Sequence, residues 1–195
     1  MLPSLSVLLT AKIEERLALV RRVRNEGEAH EVEELVGAIP GSELFTLRLA
    51  NLEGGLLVKL ELIERCGELL SLEEASRRLG VSSEHLLQMV SSRELCVLED
   101  GGLYAVPGWQ LTQGGRLLDG LSTLYRVYPG GEVWSFLDFM LYEHPLLGRH
   151  TPLELLRALN GVSSGGVMMV ERTQDALTLE ELCDAARHDF EHGGL

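Results

Sequence analysis

Apolar residues recur at helical spacing along most of the chain, so the predicted elements are mostly helices. A first helix is predicted over residues 4–25, where the apolar positions share one face. A shorter, acidic helix is predicted over residues 28–38, and a third apolar segment over residues 42–63. The pair Gly54-Gly55 is a candidate interruption of that third segment, since glycine is a poor helix former. The N-terminal part is therefore predicted to be a helical extension or an oligomerisation element.

A different pattern begins at Ser71. The spacing Ser71-x-x-Glu74 is a capping box, and it predicts a two-turn helix that ends at Gly80. A second helix is predicted over residues 83–92. Two short apolar runs, residues 95–98 and 103–106, flank a glycine-containing turn, and this arrangement predicts a β-hairpin.

The remaining third of the chain again predicts helices. One ends near Tyr128, and the next, residues 133–142, is apolar on nearly all sides and must be covered by other elements. Thr151 and Glu154 form a further capping box, with Pro152 at the first helical position. Two more helices are predicted, over residues 167–173 and from the capping box Thr178-x-x-Glu181 to about residue 190.

Composition places the chain among globular proteins. Its 195 residues are 45% hydrophobic and 24% charged, and no apolar run is long enough for a membrane span. The three cysteines are odd in number and far apart, which favours free thiols in the cytoplasm over a disulfide framework. A net charge of −13 disfavours non-specific binding to nucleic acid, because such binding depends on neutralising phosphates.

The segment from Ser71 to Leu111 resembles the winged helix-turn-helix of excisionase-like and MerR-like proteins. It reads SLEEASRRLGVSSEHLLQMVSSRELCVLEDGGLYAVPGWQL. The resemblance implies that the second helix enters the major groove of DNA. The residues that would then contact nucleic acid are Arg77, Arg78, Ser82, Ser83, His85, Gln88 and Arg93. The second helix itself carries no lysine or arginine, so a winged helix kept as a structural or protein-binding module is an equally weighted alternative.

The run from Trp134 to Arg172 resembles the C-terminal domain of Xre/MbcA/ParS-type antitoxins. It shares an aromatic-rich helix, a leucine–glycine turn and a helix start of the Thr-Pro-x-Glu-Leu-Leu type. The resemblance implies a homodimeric, non-enzymatic regulator whose N-terminal module binds DNA and whose C-terminal bundle neutralises a toxin partner. The implied partner-binding residues are Gly148, Arg149, His150, Thr151, Pro152 and Arg172. Arg149 stands where the family's turn usually has a second glycine.

Together these patterns predict a mainly α fold in three parts. They are a helical N-terminal region (1–68), a winged helix-turn-helix with a small β-hairpin (69–112) and a C-terminal helical bundle (113–195). The sequence contains no recognisable catalytic, cofactor-binding or metal-binding arrangement, and the pair His188-x-x-x-His192 is set aside as a metal site. The predicted function is a DNA-binding transcriptional regulator or antitoxin-like protein. The alternative is a protein-interaction module that keeps both folds without reading DNA.

Overall fold

The computed structural model describes residues 3–26, 36, 43–129, 132–161 and 178–192. Over these residues the fold is mainly α-helical with a small antiparallel sheet of three strands, which confirms the predicted fold class. Internal contacts divide the chain into two compact units. Unit 1 comprises Met1–Arg65 and Glu99–Leu103, and unit 2 comprises Cys66–Leu98 and Tyr104–Leu195. The domain boundaries after residues 68 and 112 stay predictions.

Unit 1 is built on two long helices, α1 (Leu5–Glu26) and α2 (Glu43–Cys66). The apolar face of α1 is buried, as its periodicity predicts. The Glu53 carboxylate of α2 accepts hydrogen bonds from Arg21 at 2.9 Å and from Arg24 at 2.7 Å, so ion pairs also join the two helices.

Helix α2 continues through Gly54-Gly55, so the prediction that this pair could interrupt the helix was wrong. Each interior glycine costs a helix about 1 kcal/mol relative to alanine. Leu49, Leu56 and Leu62 lie on either side of the pair and are all buried. Burying one such side chain contributes about 1.5–3 kcal/mol, so apolar packing outweighs the cost of the glycines.

Unit 2 begins with a short strand that the sequence did not predict, β1 (Leu69–Leu70). It is followed by α3 (Leu72–Leu79) and α4 (Ser83–Ser91), at the predicted positions. Gly80 ends α3 in the left-handed conformation, with φ of 67°. The helices and the sheet share one core, which is formed by Leu70, Ala75, Leu86, Met89, Leu95 and Val106.

The hairpin consists of β2 (Leu98–Asp100) and β3 (Leu103–Pro107), and β3 lies between β1 and β2 in the sheet. Antiparallel pairing sets Leu69 opposite Pro107 and Leu70 opposite Val106. The turn is Gly101-Gly102, with φ of 56° and 77°. Two consecutive residues with positive φ fit the tight hairpin turns that match the twist of the strands.

Strand β2 starts three residues later than the predicted run 95–98. The Gln110 side chain accounts for the difference. Its amide accepts a hydrogen bond from the Cys96 N–H at 2.8 Å and donates one to the Cys96 carbonyl at 2.8 Å. A buried side chain thereby takes the place of a neighbouring strand at this residue.

The C-terminal part of unit 2 contains α5 (Leu121–Val127), α6 (Val133–Leu141), α7 (Pro152–Leu159) and α8 (Leu179–His192). Rings of Tyr125, Tyr128, Phe136 and Phe139 cluster at centroid distances of 4.6–6.4 Å. The predicted sandwiching of α6 is confirmed, because five of its nine residues are buried. The helices predicted over 28–38, apart from Val36, and over 167–173 lie outside the described residues. In the described part of the chain, no helix has the length and apolarity needed to cross a membrane.

Candidate functional site

The surface of α4 is polar but carries no positive charge. Ser82 is the N-cap, and its hydroxyl accepts a hydrogen bond from the His85 N–H at 3.1 Å. The side chains of Ser83, His85 and Gln88 are exposed, as expected for residues that would face a ligand. Leu87 is also 58% exposed. The face therefore offers hydrogen-bonding groups and an apolar side chain, without a cation for phosphate.

Arg77 and Arg78 are both engaged by acidic neighbours. Arg78 forms a two-pronged ion pair with Glu68, at 2.6 and 2.9 Å, and its Nε donates to Glu74 at 2.8 Å. This pairing raises the pKa of Arg78 and lowers the pKa of Glu68. Arg77 also contacts the Glu74 carboxylate. Two carboxylates thus offset two of the predicted DNA-binding cations.

Arg93 is turned toward the C-terminal bundle. Its guanidinium carbon lies 4.8 Å from the centre of the Tyr125 ring, and Nη2 donates to the Tyr128 carbonyl at 3.2 Å. The residue is half-buried and adopts a φ of 56°, an unusual value for a residue other than glycine. Arg93 therefore packs within the unit, and its assignment as a DNA contact stays a prediction.

The tip of the hairpin, Glu99–Leu103, is part of unit 1 and is bound by basic side chains of the same unit. The Asp100 side chain is 3% exposed and accepts hydrogen bonds from Arg16 at 2.7 Å and from Lys59 at 3.2 Å. The Lys12 ammonium donates to the Gly101 carbonyl. Sequence reasoning missed this anchor, since the partners of Asp100 lie 84 and 41 residues away and no local pattern connects them.

The predicted partner-binding turn is held by a dense set of backbone hydrogen bonds. Gly148 and Arg149 both have positive φ, 65° and 66°. The His144 N–H donates to the His150 carbonyl at 3.1 Å, which closes the turn. The Thr151–Glu154 capping box is confirmed, with hydrogen bonds of 2.9 and 3.1 Å in the two directions. The turn is therefore a rigid platform at the start of α7.

The residues of this turn differ in exposure. Gly148, Arg149 and His150 are exposed, and the Arg149 side chain is 87% exposed. Thr151 is half-buried, and its hydroxyl caps α7. Pro152 is buried, starts the helix and packs inward, and its assignment as a partner contact stays a prediction. Arg172 lies outside the described residues. Leu146, which was not among the predicted partner-binding residues, is 58% exposed beside the turn.

The ionisable groups that could serve chemistry are buried or dispersed. All three cysteines are free and buried, and burial raises the pKa of Cys66 to about 11 and that of Cys96 well above its usual range. Burial and the nearby Asp189 carboxylate raise the pKa of Tyr128. Within the described ranges, no group of three or more His, Cys, Asp or Glu side chains is arranged to hold a metal ion.

Comparison of the chain with models of known families, with curated proteins and with solved structures finds no match. The resemblances to winged helix-turn-helix proteins and to Xre/MbcA/ParS-type antitoxins therefore stay predictions.

Proposed function

We propose that the chain is a non-catalytic, antitoxin-like regulator of the cytoplasm that acts by binding a protein partner, and that its winged helix packs rather than reads DNA. The observation that carries the proposal is that Arg78 pairs with two carboxylates and Arg93 stacks on Tyr125. Of the three predicted cations, only Arg77, whose side chain is 75% exposed, presents its charge to solvent. DNA binding at physiological salt requires cations that are available to phosphates.

The anchoring of the hairpin tip supports the same conclusion. A wing that contacts DNA must present its turn to the nucleic acid. Here the turn glycines are exposed, but Asp100 is buried among basic side chains and the Gly101 carbonyl accepts a hydrogen bond from Lys12, so the cations at the tip are already paired. The exposed face of α4 also includes Glu84, which repels phosphate.

The turn at Gly148–His150 supplies the partner-binding surface in this proposal. Its backbone is fixed, so little conformational entropy is lost when it binds. Leu146 adds an exposed apolar side chain next to it. An apolar group beside a rigid polar turn is typical of an interface core with its polar rim.

The test is co-purification with the product of the adjacent reading frame, in which Leu146→Asp is compared with Leu87→Asp. Both leucines are 58% exposed, so neither substitution disturbs a core. We expect Leu146→Asp to abolish co-purification and Leu87→Asp to leave it intact. Equal loss in both variants, or loss only with Leu87→Asp, would refute the assignment of the partner surface to the turn.

DNA reading through α4 is the second candidate, and one observation favours it. The exposed side chains of Ser83, His85 and Gln88 follow a glycine turn in a helix-turn-helix arrangement. Gln88 has the hydrogen-bonding groups that recognise adenine in the major groove. If this candidate is correct, Gln88→Ala weakens binding to the protein's own upstream DNA, while Leu146→Asp leaves that binding unchanged in a mobility-shift assay.

A further inference from the structure

A surface pocket of about 370 Å³ lies beside the partner-binding turn in unit 2. Helix α6 contributes Asp138 and Phe139 to its lining, and α8 contributes His188 and Asp189. The connection after α6, residues 142–146, completes the lining on the side of the turn.

The pocket is strongly acidic. Asp138, Glu143 and Asp189 line it, and the described residues of its wall include no lysine or arginine. Like charges in one site repel each other, and a cation placed among them relieves the repulsion. The electrostatics of the wall therefore favour a cationic guest.

Aromatic and apolar surfaces face the same space. The rings of Phe139 and Tyr142 line the pocket, together with Pro145 and Leu146. Aromatic faces attract cations, and they attract the planar guanidinium group in particular because it also stacks on a ring. Pro145 and Leu146 offer contact to the methylene stem of a long basic side chain.

His144 lies on the same wall of the pocket as Asp189. Its side chain is 10% exposed, lines the pocket, and has Nε2 3.6 Å from the Asp189 carboxylate. The ring therefore lies next to one of the carboxylates that a cationic guest would approach.

The guanidinium of Arg149 lies near the rim of this pocket. Arg149 Nε lies 3.7 Å from the Glu143 carboxylate, and both side chains are largely exposed. The ion pair shows that Glu143 is within reach of an arginine approaching from the turn. In this arrangement Arg149 competes with an incoming cation for the same carboxylate.

We propose that this pocket binds an arginine side chain of the protein partner. The proposal rests on the proposed function, because it gives the chemistry of the partner that the turn contacts. The guanidinium lies between the carboxylates of Glu143 and Asp189 and against the ring of Tyr142. The pocket selects the positive charge and planar shape of this group.

The test is a titration of the isotope-labelled full chain with Nα-acetyl-arginine amide, followed by NMR. The matched control ligand is the citrulline analogue, which keeps the shape and loses the charge. We expect saturable shifts at Tyr142, Glu143 and the His144 ring nitrogens with arginine and none with citrulline. Equal shifts with both ligands, or no saturable shifts with arginine, would overturn the proposal.

Substitutions at two exposed residues change the affinity for the arginine amide in opposite directions in the same titration. Glu143→Gln removes one carboxylate and lowers the affinity for the arginine amide about threefold, a size typical of exposed ion pairs. Arg149→Gln removes the competing guanidinium and raises the affinity by a similar factor, about threefold. Glu84→Gln, at an exposed carboxylate of α4 outside the lining, is the control and leaves the affinity unchanged. A drop in affinity with Arg149→Gln, or none with Glu143→Gln, contradicts the proposed geometry.

Failure of this proposal is distinguishable from failure of the proposed function. If the chain co-purifies with its partner through Leu146 but does not bind the arginine amide, the pocket assignment is wrong and the partner surface stands. If the amide binds but Leu146→Asp leaves co-purification intact, the pocket is correct and the partner surface is wrong.

Discussion

The ion pairs of Asp100 with Arg16 and Lys59 lead to a specific prediction about stability. Asp100→Asn keeps the size of the side chain and removes its negative charge. The carboxylate is 3% exposed, and its two partners, Arg16 and Lys59, have side chains 38% and 25% exposed. The substitution therefore leaves two partly buried cations without their shared counter-charge.

The magnitude follows from the hydrogen bonds that change. A hydrogen bond to a charged group contributes about 1.5–3 kcal/mol to stability. The asparagine oxygen still accepts from Arg16, and the partial exposure of both cations reduces the loss through solvent screening. We expect the free energy of unfolding to fall by about 1–3 kcal/mol.

The assay is urea denaturation followed by far-ultraviolet circular dichroism, with Asp119→Asn as the control. Asp119 is an exposed loop carboxylate, so its substitution changes the free energy of unfolding by no more than about 0.5 kcal/mol. If Asp100→Asn is no more destabilising than this control, the hairpin tip is not anchored as described.

Three further predictions concern a glycine, a titrating ion pair and the thiols. Gly55→Ala raises the free energy of unfolding by about 0.5–1 kcal/mol, since a Cβ there meets nothing within 4 Å; a lower urea midpoint would contradict it. The hydrogen-bonded ion pair with Arg78 lowers the pKa of Glu68. The free energy that this pair adds to folding is therefore fully present above the ordinary glutamate pKa, about 4.3, and is lost as the pH falls through the lowered pKa. Glu68→Gln therefore flattens the acid side of the stability profile, and an unchanged profile would argue against the pair. Burial raises the pKa of all three cysteines, so iodoacetamide at neutral pH modifies them only after unfolding, which mass spectrometry checks.

Helix starts and ends were predictable because their signals are local. Ser71, Thr151 and Thr178 each lie three residues before a glutamate, and the structure has each as the cap of a helix. The Gly101-Gly102 turn was predictable for the same reason, as few sequences other than a glycine pair adopt two positive φ values cheaply.

The features that the sequence did not predict depend on residues far apart in the chain. Strand β2 starts late because Gln110, 14 residues on, bonds the backbone of Cys96. Arg93 was assigned to DNA because it follows the second helix, yet it packs on Tyr125 and Tyr128. A charged residue's partners decide its role, and periodicity carries no information about partners distant in sequence.

In the proposed function, this chain recognises a protein and does not read DNA. The most direct test is fluorescence anisotropy with the wild-type protein and a labelled duplex from its own upstream region, over a salt series from about 50 to 200 mM. We expect no saturable binding at the lowest salt and no difference from a scrambled duplex. Tight binding to the upstream duplex alone, weakening with salt by the several logarithmic units per decade that phosphate contacts produce, would contradict it.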